Sequence, residues 1–459
     1  MTGEDMLLVL VDAALDRAKS RSKAAIAEVV HTRTSQIRFS QNAVDVVTRW
    51  DETKMNLFVD IDGKKTSITS VAVSSADDVR RLVDETIDFS KRLPDSMFYQ
   101  GVEDRVSSYS QLEMRVDDRI DDFTEKAPGI ISSAIDAALT EGAKRVAGAL
   151  AFGKTVSVMR SSLGPSGTHR ETSYDLNVRA FQEELDYSGQ GLSCGTMPTR
   201  AEKEMREAGA QAGRLSKQAR GARQGDSGTY DVVMSPTVAA NVIGQIVGTA
   251  NPFMVLIGMS PLGDRIGQKM APDFVTAAED PHFPGGLASR AYDFEGTPTR
   301  KTLVFDKGVL KGFIHNTTTA RMFDTVSTGN SAVVGIGHGA SMLLPNDSNI
   351  VFEAGDHSLE ELLESNRRTI YVMSNWYTRW QNHQTTDFST IPRDAIFLIE
   401  HGDMKPIKNI RISDNQLRML ANITALGKER KQVYWWEVST PTVIPAMRIA
   451  DCRITTATK

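Results

Sequence analysis

VVMSPTVAANVIGQIVGTANPFMVLIGMSPLG, residues 232–263, contains no Asp, Glu, Lys or Arg in a chain of which 24% is charged. A run of this length without charge is either a membrane span or the buried centre of a folded domain. A spanning helix needs about 20 predominantly apolar residues with few breaks. Pro236, Asn241, Gln245, Asn251, Pro252, Ser260 and Pro261 interrupt the run. It therefore reads as a helix buried at the centre of a domain, and no membrane contact is expected.

Working outward, 459 residues are enough for two or three domains with sizeable cores. Hydrophobic content of 40% and a net charge of −5 lie outside the disordered and fibrous classes. A pI near 6.0 excludes a dedicated nucleic-acid binder, because neutralising phosphates needs a basic surface. The densest basic run, residues 203–223, is accompanied by Glu202, Glu204 and Glu207 and reads as a solvated helix face. Cys194 and Cys452 belong to no CxxC pair and read as free thiols in a reducing cytoplasm. Glu4-Asp5 precedes a short apolar run at 6–11 that Asp12 stops, unlike the basic opening and long apolar core of an export signal.

Residues 4–19 place Leu7, Leu8, Val11, Ala14, Leu15 and Ala18 at helical spacing. Short strands are predicted at 25–31, 36–39 and 43–50. Leu57, Val59 and Ile61 then alternate with polar residues up to Asp62-Gly63, a hairpin signal whose return strand reaches Val73. Ser75-Ala76-Asp77-Asp78 resembles a capping box before a helix presenting Val79, Leu82, Val83 and Ile87. Residues 1–94 thus read as an N-terminal α+β domain with a mixed sheet and helices. Residues 95–224 read as a middle segment: a polar linker with helical pieces to 130, a helix over 131–141, and strands over 154–181. It closes with a long helix at 200–220 opened by a second capping box, Thr199-x-x-Glu202. Gly221, Gly225 and Gly228 mark the main boundary. Residues 225–459 read as a larger antiparallel β-rich domain around the buried helix, with strands near 301–305, 309–315, 349–353, 369–373 and 395–400. The fold class is α+β, without a fixed-period repeat.

No His precedes a Glu, and no two of the eight His are four apart, so an HExxH zinc helix is excluded. His315, His338, His357, His383 and His401 are scattered, and no metal or other cofactor is expected. Glu400-His401-Gly402-Asp403 reads as a solvated turn. Residues 335–339 and Gly189-Gln190-Gly191 lack the Lys-Ser/Thr of a P-loop and the GxGxxG spacing. Cys194 lies among glycines without a base at evident spacing and reads as inert. Asp293 and Glu295 share a face if their segment is extended, beside the turn-competent Gly296 and Pro298.

Four stretches recur in order: 230–236 (YDVVMSP), 292–299 (YDFEGTPT), 308–316 (GVLKGFIHN) with Thr319-Ala320, and 327–330 (STGN). With Glu279-Asp280-Pro281, their order and spacing resemble the TldD/PmbA (TldD/TldE) family of zinc metalloproteases, and the N-terminal unit is similar to that family's first domain. The resemblance implies that a catalytic branch would carry His-Glu-x-x-x-His on the central helix and a further ligand in a C-terminal Cys-Gly segment. The matching positions are Ala240, Asn241 and Gln245, and residues 432–437 (QVYWWE) stand in the Cys-Gly place. Positions 241 and 245 share a helix face, with 240 at its rim. An amide does not replace a neutral imidazole or a carboxylate at zinc. The chain therefore resembles the TldE/PmbA branch that lacks the motif. That resemblance implies a cytoplasmic subunit, without zinc and inactive alone. Its expected partners are a TldD-like catalytic subunit and/or a second copy, acting on extended, unfolded peptide substrates. Asp293, Glu295 and His315 are then expected to line the cavity, with catalytic residues unassigned. Two alternatives stand beside this reading. One is a stand-alone peptidase or amidase using His315, His338, Cys194 or carboxylates; the other is a non-enzymatic peptide-binding scaffold.

Overall fold

Alternation along residues 24–60 produces two long strands where four short segments were expected. The computed structural model describes residues 3–337, 340–364 and 366–456, so His338 lies outside the described residues. Strand β1 (Ala24–Ser40) pairs with β2 (Ala43–Asp60), which turns at Ile61–Lys65 into β3 (Thr66–Ala72). Ala25, Ala27 and Val29 face helices α1 (Gly3–Ala18) and α2 (Ala76–Ser90), closing one core. Ser75 caps α2 as its spacing predicts, its hydroxyl accepting from the Asp78 amide.

On its other edge β1 pairs with β4 (Arg145–Ser161), followed by β5 (Ser166–Phe181) and β6 (Ser188–Gly195). The six strands lie in the order β3-β2-β1-β4-β5-β6, every pair antiparallel. This sheet runs across residue 94, so segments 1–94 and 95–224 contribute strands to one sheet. The predicted mixed pairing is replaced by purely antiparallel pairing, because each connection is a hairpin or a return from the opposite edge. Between them, residues 95–119 form no helix or strand and are stitched to the C-terminal half. The Gln100 amide donates to Thr318, the Tyr109 hydroxyl to the Gly296 carbonyl, and Arg115 to the Gly286 carbonyl.

Helices α3 (Ile120–Thr140) and α4 (Glu202–Gln218) cover the β4–β6 end of the sheet. α3 begins before the predicted 131 because Ile120, Phe123 and Ala127 extend its buried stripe through Pro128. Thr199 does not cap α4. It sits in the 3-10 turn Pro198–Arg200, and its amide and hydroxyl donate to the buried Asp117 carboxylate. Gly189 and Gly191 serve packing: a Cβ at either would run into the backbone of α4, at Ala212 and Ala208.

The C-terminal half builds a second, larger sheet. Its centre holds the strands Gly228–Met234, Thr369–Asn382, Asp387–Glu400 and Val438–Thr456. Pairing is mostly antiparallel, as predicted, with parallel joints where Gly228–Met234 meets Thr369–Asn382, where Ile350–Phe352 meets Val438–Thr456 and where Arg223–Gln224 meets Asp403–Lys408. The predicted strand at 309–315 stops at Leu310, since Asn316 is needed as the cap of helix Thr317–Met322. After Gly228–Met234, Ser235 caps a helix that runs from Pro236 to Gly248, its middle turn, Ala240–Gly244, in π conformation. Val238, Ala239, Ala240, Val242, Ile243, Ile246 and Val247 all enter the largest apolar core, so the predicted central helix is buried over 236–248. By contrast, 232–234 belong to a strand, and Leu256, Ile257 and Met259 further along the uncharged run are exposed. Among the described residues no helix is long and apolar enough to cross a membrane.

The close approach of β6 to α4 makes a direct prediction. Gly191→Ala should destabilise the fold by about 1–3 kcal/mol, since the methyl meets backbone that cannot step aside. Urea denaturation of the variant against the parent chain measures this.

Candidate functional site

Asn241 sits in the π turn with no accessible surface. A buried primary amide must satisfy both its ends, and here each end has partners. Its Nδ2 donates to the Glu437 carbonyl at 2.6 Å, and its Oδ1 accepts from Asn375 Nδ2 at 2.6 Å and from the Thr378 hydroxyl. The Thr390 hydroxyl lies 2.8 Å from both Asn375 Nδ2 and Thr378 Oγ1, tying the two strands of one hairpin together. One turn on, Gln245 Nε2 donates to the same Glu437 carbonyl at 3.3 Å. The Glu437 carboxylate accepts from the Tyr377 and Thr378 backbone amides at 2.6 and 3.3 Å. Positions 241, 245 and the segment 432–437 thus converge on one point. Ala240 faces the apolar core and takes no part.

The donor chemistry of this knot does not fit zinc. It consists of two amides, hydroxyls and a peptide carbonyl, where zinc takes thiolate, imidazole or carboxylate. Its single anion, Glu437, is already held by two backbone amides. Among the described residues, no three His, Cys, Asp or Glu side chains gather as a metal-binding group.

Asp293 and Glu295 do come together, around a turn closed by a bridge between Tyr292 and Pro298. Asp293 Oδ1 accepts from the Glu295 and Thr297 amides at 3.0 and 2.9 Å, and Oδ2 from the Ser331 amide at 2.8 Å. Glu295 Oε2 accepts from the Glu103 amide at 3.1 Å, so residues 95–119 are anchored here. Burial, and then repulsion from Glu295, push Asp293 up to about 8, and burial raises Glu295 as well. These carboxylates hold backbone together. Asp293 also lines a cleft of about 460 Å³ with Glu28, His169 and Arg290. His315 has a separate setting. Its amide donates to Thr328 Oγ1 at 2.6 Å, and its ring meets the edge of Phe323 at 5.8 Å. Burial lowers its pKa to about 4, so the imidazole is neutral near pH 7.

The Cys194 thiol donates to the Gln432 carbonyl at 3.4 Å, and burial pushes its pKa up to about 12. It carries no thiolate at neutral pH, the form a nucleophile needs. Glu400 pairs with Arg368, and His401 turns in a left-handed conformation at the strand end, as the sequence predicts. Sequence reasoning missed Asn375, Thr378 and Thr390. Their signal was weak, since the same strands also carry Ser374, Arg379, Ser389 and Arg393.

Residues 227–456 match the profile of the PmbA/TldA metallopeptidase C-terminal domain. Metalloprotease MJ0996 of Methanocaldococcus jannaschii is 29% identical over 205 residues, 44% of each chain. Metalloprotease PmbA of Escherichia coli O157:H7 is 26% identical over 223 residues, 48% of this chain and 45% of that one. These matches span less than half the length of either relative. The solved structure of TldE from Thermococcus kodakarensis superposes with a TM-score of 0.83 at 16% identity, over 97% of this chain and 99% of that one, and shows the same fold. Fold and profile define a metallopeptidase-related α+β protein. The chain belongs to the PmbA/TldD family.

Two measurements follow from this geometry. Asn241→Ala strips Asn375, Thr378 and the Glu437 carbonyl of a shared partner and opens a small void. It should cost about 2–4 kcal/mol in chemical denaturation. For the acidic pair, the folded chain keeps a proton that the unfolded chain releases near pH 4 (about the ordinary carboxylate value). Stability from this source is complete below that pH and is lost as pH rises to about 8. Glu295→Gln removes the repelling charge, so its stability should fall less between these limits in urea titrations across pH.

Proposed function

We propose that the chain is the TldE/PmbA-like, non-zinc-binding subunit of a peptidase complex acting on extended, unfolded peptides. The carrying observation is the neutral knot in which Asn241 and Gln245 both donate to the Glu437 carbonyl. Groups of this kind do not lower the pKa of a bound water as zinc does, so cleavage belongs to a partner that carries His-Glu-x-x-x-His. The metalloprotease names of the relatives support the peptidase setting.

In this reading the chain supplies one wall of an enclosed cavity. A pseudo-symmetric pair of related folds encloses such a space with a single type of interface. The wall needs sheet edges and side-chain pockets that hold an extended chain. The partner is a TldD-like subunit or, in its absence, a second copy, and the setting is the cytoplasm.

The test mixes the purified chain with a zinc-loaded relative bearing the full motif and follows cleavage of an unstructured peptide. Zinc-dependent cleavage that this chain enhances, with none from this chain alone, is the expected result. Cleavage by the chain alone, abolished by substitution of His315 or Cys194, would establish a stand-alone enzyme instead. Peptide binding with no cleavage in either condition would leave a scaffold.

A further inference from the structure

Beside the neutral knot, on the side of Glu437 that faces Tyr377 and Thr378, aromatic rings come to the surface. Trp436 meets Trp435, Trp376 and Tyr377 at centroid distances of 5.5, 5.6 and 5.9 Å, each ring edge-on to the next. Trp436 remains 56% exposed and Tyr377 45%. Large aromatics that pack on one another and still face water are rare in a finished surface. They are held up by a strand irregularity: Tyr377 has φ of 56°, and the register with the neighbouring strand slips between Trp376 and Arg379.

Cations frame the rings. Arg379 lies over Tyr377 at 5.6 Å, and Arg179 and Arg393 lie over Trp376 at 4.4 and 5.8 Å. Arg179 is neutralised by buried Asp394. Arg379 and Arg393 are exposed; Arg379 donates only to the Thr378 carbonyl, and neither has a carboxylate partner among the described residues. The nearby Glu437 carboxylate is occupied by backbone amides. A chain of net charge −5 thus presents an aromatic row edged by two guanidiniums that form no ion pair among the described residues.

We propose that this row, centred on Trp376, Tyr377 and Trp436 and flanked by Arg379 and Arg393, is a docking site for an extended peptide carrying acidic side chains between apolar ones. Charge complementarity selects the acid, and exposed ring faces take the alternating apolar side chains, which on one face of an extended chain recur about every 7 Å. Its role as a substrate anchor rests on the peptidase-complex reading, since the row adjoins the knot through Glu437. The docking itself is a property of this chain alone.

The experiment uses the full chain without any partner. The probes are a short fluorescein-labelled peptide alternating glutamate and phenylalanine with glycine spacers, and its lysine counterpart. Anisotropy should show the glutamate peptide binding about tenfold or more tighter than the lysine one, with affinity falling as salt is raised. The surface variants Trp436→Ala and Arg379→Glu/Arg393→Glu should each lose about tenfold or more of that affinity. Equal binding of both peptides, or binding of neither, overturns the proposal. So does a self-association in sedimentation that Trp436→Ala abolishes while peptide affinity is unchanged, which would make the row a contact between copies. Enhanced cleavage with a zinc-bearing partner combined with no peptide binding here would leave the subunit reading standing and this inference refuted.

Discussion

A primary amide with no access to water must be bonded at both ends, and Asn241 imposes that condition on the centre of the C-terminal half. Satisfying it ties together three separate pieces of chain. These are the central helix, which also carries Gln245, the hairpin carrying Asn375, Thr378 and Thr390, and the loop carrying Glu437. Leaving a buried polar group unmade costs about 1–3 kcal/mol, a large part of a domain's net stability. The network is thus an ordering device for this part of the chain. Its donor set also fixes its chemistry: amides, hydroxyls and a peptide carbonyl, with the one carboxylate held by backbone amides, offer hydrogen bonds and neither thiolate nor imidazole.

The two halves of the molecule are joined by a second polar device of opposite character. Around Asp293 and Glu295, carboxylates are buried as acceptors of backbone amides from three places in the chain, including the irregular stretch that follows α2. Burial of like charges opposes ionisation, which is why Asp293 titrates far above its ordinary range. One knot is neutral and the other reluctantly charged, and neither resembles the poised nucleophile and base of a hydrolase. Burial keeps Cys194 protonated near pH 7, which withholds the thiolate, while His315 keeps a neutral imidazole.

Much of this was legible in the residues. The absence of charge over 232–263 announced the buried helix, and the amides at 241 and 245 could be placed on one face by spacing alone. The closeness of 432–437 to that face was suggested only through family resemblance, since no periodicity links segments nearly 200 residues apart. Strand pairing was the least legible feature. That β1 joins β4 across α2 and the irregular stretch depends on tertiary closure, and local pattern instead suggested a boundary at 94. The Thr199 box failed for a related reason, because buried Asp117 outcompetes the helix end for its hydroxyl. The aromatic row escaped notice because Trp and Tyr in strands ordinarily face inward; the slipped register at 376–379 turns Tyr377 out, and Trp436 sits in the turn before Val438.

The central claim is that hydrogen bonding has replaced metal ligation at positions 241 and 245. Metal content tests it most directly: the purified chain is incubated with zinc, desalted, and analysed by mass spectrometry. The account predicts zinc no higher than in a buffer blank. One zinc per chain would contradict it, and would mean that other side chains reorganise to hold an ion.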